Sequence, residues 1–130
     1  MQNVGKYSFM EQDRPVLWAS FSGSGEYPML KGDMFIYNLP SGFYISAEFE
    51  GLPNSEQLPF HIHEGVFCET KGGKIVPLPE IFSDKNGKSS MKIYVDKKEI
   101  NDIAGRPAVL HIHKDGAEPE IACAILQRIL

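Results

Sequence analysis

The stretch FYISAEFEG, residues 43–51, sets Tyr44, Ser46, Glu48 and Glu50 against Phe43, Ile45, Ala47 and Phe49 in strict alternation. Successive side chains of an extended chain point to opposite faces, so this period of two describes a strand with one wet face and one core face. MKIYV, residues 91–95, repeats the alternation behind the turn-forming dipeptide Asn86-Gly87; such a dipeptide takes positive backbone φ at little cost. Outward from these two segments, turn signals recur at short spacing in GSGEYP, LPSG, GLPNSEQLP, KGG, SDKNGK, AGRP and KDGAEP. The runs between them predict strands over 16–22, 33–39, 43–50, 58–63, 89–95, 108–113 and 121–126. Many short strands parted by turns predict an all-β sandwich or barrel. Only DKKEINDIAG, residues 96–105, has helical spacing, and it reads as one short helical turn in a connection.

The chain has 130 residues, 42% of them hydrophobic and 23% charged, which suits one globular domain. That domain is expected over 15–130, behind a loose polar arm at 1–14 in which Tyr7 and Phe9 are the residues able to dock. The net charge of −4 arrives without a basic run, so the expected partners include neither nucleic acid nor an anionic membrane surface. No long apolar run and no signal-peptide order is present, which predicts a soluble chain, either cytoplasmic or already processed. The two cysteines, Cys68 and Cys123, admit one disulfide or two buried thiols.

All four histidines fall in two copies of His-Ile-His: His61 and His63, then His111 and His113. Residues i and i+2 of a strand share a face, so each pair offers two imidazoles on one side while Ile62 and Ile112 point to the core. If the two strands neighbour one another, the four rings converge on a site suited to copper, zinc, iron or nickel. The competing reading is a solvated strand face. Other chemistries have less behind them. No Gly-x-Ser-x-Gly elbow exists, and SFSGSGEYP lacks the Gly-Lys-Ser/Thr ending of a phosphate loop and reads as a hairpin turn. Cys68, five residues after His63, also admits a Cys/His nucleophile pair unless a disulfide removes it.

From about Trp18 to Ile125 the sequence resembles the copper/zinc superoxide dismutase family, carried by GLPNSEQLPFHIHEG, FCET, AGRPAVLHIHKDG and EIACAIL. The resemblance implies a Greek-key β-sandwich of about eight strands. It implies that His61, His63 and His111 are copper ligands and that Cys68 and Cys123 are bridged. It also makes Asp115 the carboxylate that holds ligand imidazoles in one tautomer. The departures are equally specific. ETKGGKIVP stands where the family has its zinc loop, Pro77 falls near a lost zinc aspartate, and the bridging histidine is missing, so copper is the expected cofactor and no zinc site is expected. Glu120 stands where the family keeps an arginine, which leaves Lys114 and Arg106 as the nearest cations for attracting an anion, against Glu64, Glu118 and Glu120. His113 has no family counterpart and is either a fourth nitrogen ligand or a surface residue at a strand end. The implied activity is disproportionation of superoxide, with superoxide or a metal ion as the partner; the alternatives are a domain that holds copper without turnover and a metal-free structural sandwich.

Overall fold

A computed structural model describes residues 14–23 and 25–129. The expected arm lies outside them apart from Arg14, as do Tyr7 and Phe9. The alternating segment is β3 (Gly42–Glu50), joined to β2 (Lys31–Leu39) by the two-residue turn Pro40-Ser41 and paired with it from Leu39↔Gly42 to Lys31↔Glu50. On its other edge β3 pairs with β8 (Ser89–Asp96), setting Ile45 opposite Ile93 and Ala47 opposite Met91. With β1 (Leu17–Ser22) and β11 (Gln127–Arg128) these make a five-stranded antiparallel sheet in the order β11-β1-β2-β3-β8.

The second sheet carries the histidines. Its order is β10 (Glu120–Ile125), β9 (Pro107–His111), β5 (Phe60–His63) and β6 (Lys74–Pro77). A two-stranded piece of β4 (Gln57–Leu58) and β7 (Ile81–Phe82) closes one end, and α1 (Ile100–Ile103) buries Ile100 and Ile103 in the connection to β9. The inward faces of the two sheets form one apolar core, a β-sandwich, in which Phe43, Ile45 and Ala47 meet Phe60, Ile62, Ala108 and Leu110. Phe21, Phe49 and Phe60 join the layers, with ring centroids 5.1 to 6.1 Å apart and tilted or edge-on contacts.

The expected strands over 58–63 and 108–113 are both shortened, each for a local reason. Proline has no N–H to give a ladder. At Pro59 the chain therefore changes partners: Leu58 pairs with Ile81, Phe60 pairs with Leu110, and the Pro59 carbonyl accepts a bond from the His111 N–H (2.9 Å). The second strand stops at His111 because Asp115 and Gly116 adopt positive φ (53° and 79°) in a turn closed by reciprocal Lys114 and Ala117 backbone bonds. The loop remnant expected over ETKGGKIVP is in part a strand, β6, whose Val76 is buried opposite Ile62. With β4, β7 and β11, of two residues each, the count rises from about eight to eleven among the described residues. The turn readings hold: Gly87 has φ +76°, and the Asp84 carboxylate accepts bonds from the Asn86 and Lys88 N–H groups (2.8 and 2.9 Å).

Phe60 is fully buried, touches both other core rings and immediately precedes His61. Phe60→Ala is expected to lower unfolding free energy by about 3–5 kcal/mol, read from the urea midpoint at unchanged m-value.

Candidate metal centre

Antiparallel register decides which side chains share the outer face of the second sheet. Phe60↔Leu110 and Ile62↔Ala108 point to the core, so His61↔Val109 points away from it, with Cys123 opposite Val109 on the far side and Pro77 opposite His61 on the near side. The row Cys123, Val109, His61, Pro77 thus runs across all four strands on one face. His63 and His111, two residues along from His61 and Val109, fall on the same face.

That face is covered. Cys123 is bonded to Cys68 (Cα–Cα 6.0 Å), which draws the loop 64–73 over it. The bridge spans 55 residues, and a loop of that size limits the unfolded chain enough to stabilise the fold by about 4 kcal/mol. It also removes Cys68 as a nucleophile, so the Cys/His pair admitted by the sequence does not exist here. Under the loop Val109 is fully buried, and His63 and His111 are only 6% and 7% exposed. His63 and His111 are therefore interior groups, which removes the competing reading of a solvated strand face for these two.

His61, His63 and His111 each present one ring nitrogen, and these nitrogens lie within 4.8 Å of one another. Ring centroids are 5.2 Å apart for His61 and His111, 6.0 Å for His63 and His111, and 6.1 Å for His61 and His63. Their tautomers follow from the outward bonds. His63 Nδ1–H donates to the Gly72 carbonyl (2.9 Å) and His111 Nδ1–H to the Glu118 carbonyl (2.8 Å), which leaves a lone pair on each Nε2. Among the described residues, the buried side-chain polar atoms without a hydrogen-bond partner are His61 Nδ1, His63 Nε2 and His111 Nε2. A buried acceptor left unpaired costs about 1–3 kcal/mol, so three such atoms converging on one point have the signature of a cation site. Three neutral imidazoles suit a transition metal.

Electrostatics agrees with neutral rings. Burial, then the Lys74 ammonium and the neighbouring His111, push His61 down to about 4, against a weaker opposing pull from Glu118. Burial also lowers His111, opposed by the Glu118 carbonyl that accepts its proton.

The fourth histidine lies elsewhere. His113 is half exposed, with Nε2 3.3 Å from Glu80 Oε2 and Nδ1 3.9 Å from Glu118 Oε2, and it is not among the three converging rings. The chain leaves β9 after His111, so strand alternation no longer carries residue 113 to the same face. Asp115 sits exposed in the following turn, and among the described residues its carboxylate bonds no imidazole. The orienting acceptors are the Gly72 and Glu118 carbonyls, which sequence reading missed because a backbone acceptor has no residue signature.

The cations also differ from those expected. Arg106 is spent on the Asp102 carbonyl (2.8 Å) and the Glu64 carbonyl, and Lys114 is exposed in the turn. The cations flanking the site are Lys71, paired with Glu120 at 2.6 Å, and Lys74, paired with Glu118 at 3.7 Å. Lys74 is the cross-strand partner of His63. Glu120 is therefore half of an ion pair and not a bare anion at the site. No family model and no curated protein matches this chain.

His61 titrates lower in the fold than in the open chain, so protons bind the unfolded state first as the pH falls. Its stabilisation is complete above about pH 6.5 and is lost on the way down to about 4. Metal-free protein is expected to lose urea resistance across that window, and His61→Asn is expected to flatten the loss; identical slopes for the two proteins contradict the assignment.

Proposed function

We propose that this chain binds a single copper ion through His61 Nδ1, His63 Nε2 and His111 Nε2, and that it disproportionates superoxide there. The observation behind this reading is the convergence of three buried, unpartnered nitrogens within 4.8 Å. The sequence resemblance to copper/zinc superoxide dismutases over Trp18 to Ile125 supports the choice of metal and reaction. Copper bound at such a site supplies a one-electron couple, through which one superoxide is oxidised to O2 and a second, with two protons, is reduced to hydrogen peroxide.

The residues have separate tasks in this account. Gly72 and Glu118 hold His63 and His111 with Nε2 inward through their carbonyls, so no rotamer search precedes metal capture. Val109 forms an apolar floor beside His61. His61 is only partly buried and marks the side open to solvent. Among the described residues no carboxylate bonds a ligand imidazole, so the protons of the second half-reaction come from water at the His61 side. Lys74 stands next to His63 and supplies positive charge there, reduced by Glu118.

A second reading, a domain that holds copper for storage or delivery without turnover, is favoured by the pairing of both flanking lysines with glutamates, which leaves little field to draw in an anion. Copper loading and a superoxide assay separate the two. Wild type is expected to take up one equivalent of copper, and the double variant His61→Ala, His111→Ala to take up none. Dismutation by the loaded protein should fall at least about a hundredfold in His63→Ala, because loss of a ligand exceeds the roughly 10- to 100-fold cost of losing a group that only orients one. Stoichiometric copper with activity no greater than that of His63→Ala leaves only the binding role, and no stoichiometric copper in wild type overturns both.

A further inference from the structure

The two carbonyls that orient His63 and His111 belong to different loops. Gly72 is the last residue but one of the loop 64–73, and Glu118 lies in the segment leading into β10. These segments are joined by one longer contact, the Lys74–Glu118 ion pair (3.7 Å), and at two closer points. One is the Cys68–Cys123 bridge. The other is the ion pair of Lys71, the residue before Gly72, with Glu120, two residues after Glu118 and directly across the strands from His111. Lys71 and Glu120 are three residues beyond Cys68 and three before Cys123, so bridge and ion pair form two rungs between the loop 64–73 and β10. The same ammonium donates to the Cys68 carbonyl (3.2 Å), and the Lys71 carbonyl accepts from the Gly65 N–H (2.6 Å), which ties the pair into the loop's own frame. The two side chains are 26% and 33% exposed, a half-sheltered position for a contact of 2.6 Å.

We infer that the Lys71–Glu120 ion pair is a positioning clasp for the metal centre, which fixes the Gly72 and Glu118 carbonyls relative to each other and so holds His63 Nε2 and His111 Nε2 at a common point. The inference rests on the proposed metal reading of these histidines. Mechanically, the bridge alone leaves a hinge about its bond; the short Lys71–Glu120 rung beside it removes that hinge, and the Lys74–Glu118 contact at 3.7 Å is the looser of the two ion pairs. Neither Lys71 nor Glu120 is among the three converging side chains.

Electrostatics alone makes the opposite prediction, which gives the test its discrimination. Removing a positive charge beside a cation site should tighten metal binding, whereas loss of the clasp weakens it. Cupric ion is titrated into disulfide-intact protein against a competing chelator, with spin-resonance spectra of the loaded forms. Lys71→Met is expected to bind copper about tenfold more weakly, the lower end of the cost of losing an orienting partner, with a broadened spectrum and little change in the metal-free unfolding midpoint. Lys71→Arg keeps the pair and is expected to bind as wild type does. Lys74→Met removes a nearby charge and the longer Lys74–Glu118 contact while leaving the Lys71–Glu120 clasp in place, and it is expected to bind at least as tightly as wild type. Copper affinity in Lys71→Met equal to or tighter than wild type, with wild type binding one equivalent, overturns the clasp and leaves the bridge as sufficient. Failure of wild type to bind copper overturns the metal reading beneath it.

Discussion

The pairing of β5 with β9 is the constraint on which the rest of the molecule depends. Setting Phe60 opposite Leu110 and Ile62 opposite Ala108 buries four apolar side chains between the sheets. Because side chains alternate, the same register sends His61, His63, Val109 and His111 to the other face. A slip of one residue would turn the histidines into the core and the core residues out. The free energy that fixes the site is therefore hydrophobic burial on the reverse side of the strands that carry it. Pro59 and the Asp115-Gly116 turn mark where this pairing stops, and they separate Leu58 and His113 from the arrangement.

The site's polarity is unusual in one respect: its orienting groups are neutral. His63 and His111 donate to backbone carbonyls rather than to carboxylates. A carbonyl selects the tautomer as a carboxylate does, yet it adds no full negative charge that would hold a proton on the ring. Burial and the nearby Lys74 ammonium push His61 down, and burial lowers His111 against the opposing pull of the Glu118 carbonyl. The consequence is dependence on loop geometry, since a carbonyl is only as well placed as the chain around it. The disulfide and the two lysine–glutamate pairs join those loops and the adjoining strands β6 and β10.

Much of the fold was legible because its strands alternate cleanly. Residues 43–50 and 89–95 carried a period of two, and both are strands in adjacent positions. The Asn86-Gly87 turn and the helical turn at Ile100–Ile103 were equally readable. β4, β7 and β11 were not, since two residues carry no period, and β6 was hidden behind Gly72-Gly73 and a terminal proline. Three of the four histidines could be placed by counting along strands; His113 could not, because its position depends on a turn that ends the strand first. Asp115 and Arg106 were chosen for their side chains, whereas the work of orientation falls to the carbonyls of Gly72 and Glu118. The Cys68–Cys123 bridge was expected from the resemblance, but the shelter it gives the histidines, by drawing a loop across their face, has no signature in the sequence.

The central claim is that three imidazoles present preset lone pairs to one point. Long-range nitrogen–proton NMR of histidine-labelled protein reads this most directly, before and after addition of one equivalent of cuprous ion under anaerobic conditions. The account predicts that metal-free His63 and His111 carry their proton on Nδ1 and His61 on Nε2. It further predicts that copper shifts His61 Nδ1, His63 Nε2 and His111 Nε2 together while His113 keeps its resonances. Nε2–H tautomers at His63 and His111, or a response to copper centred on His113, would contradict it.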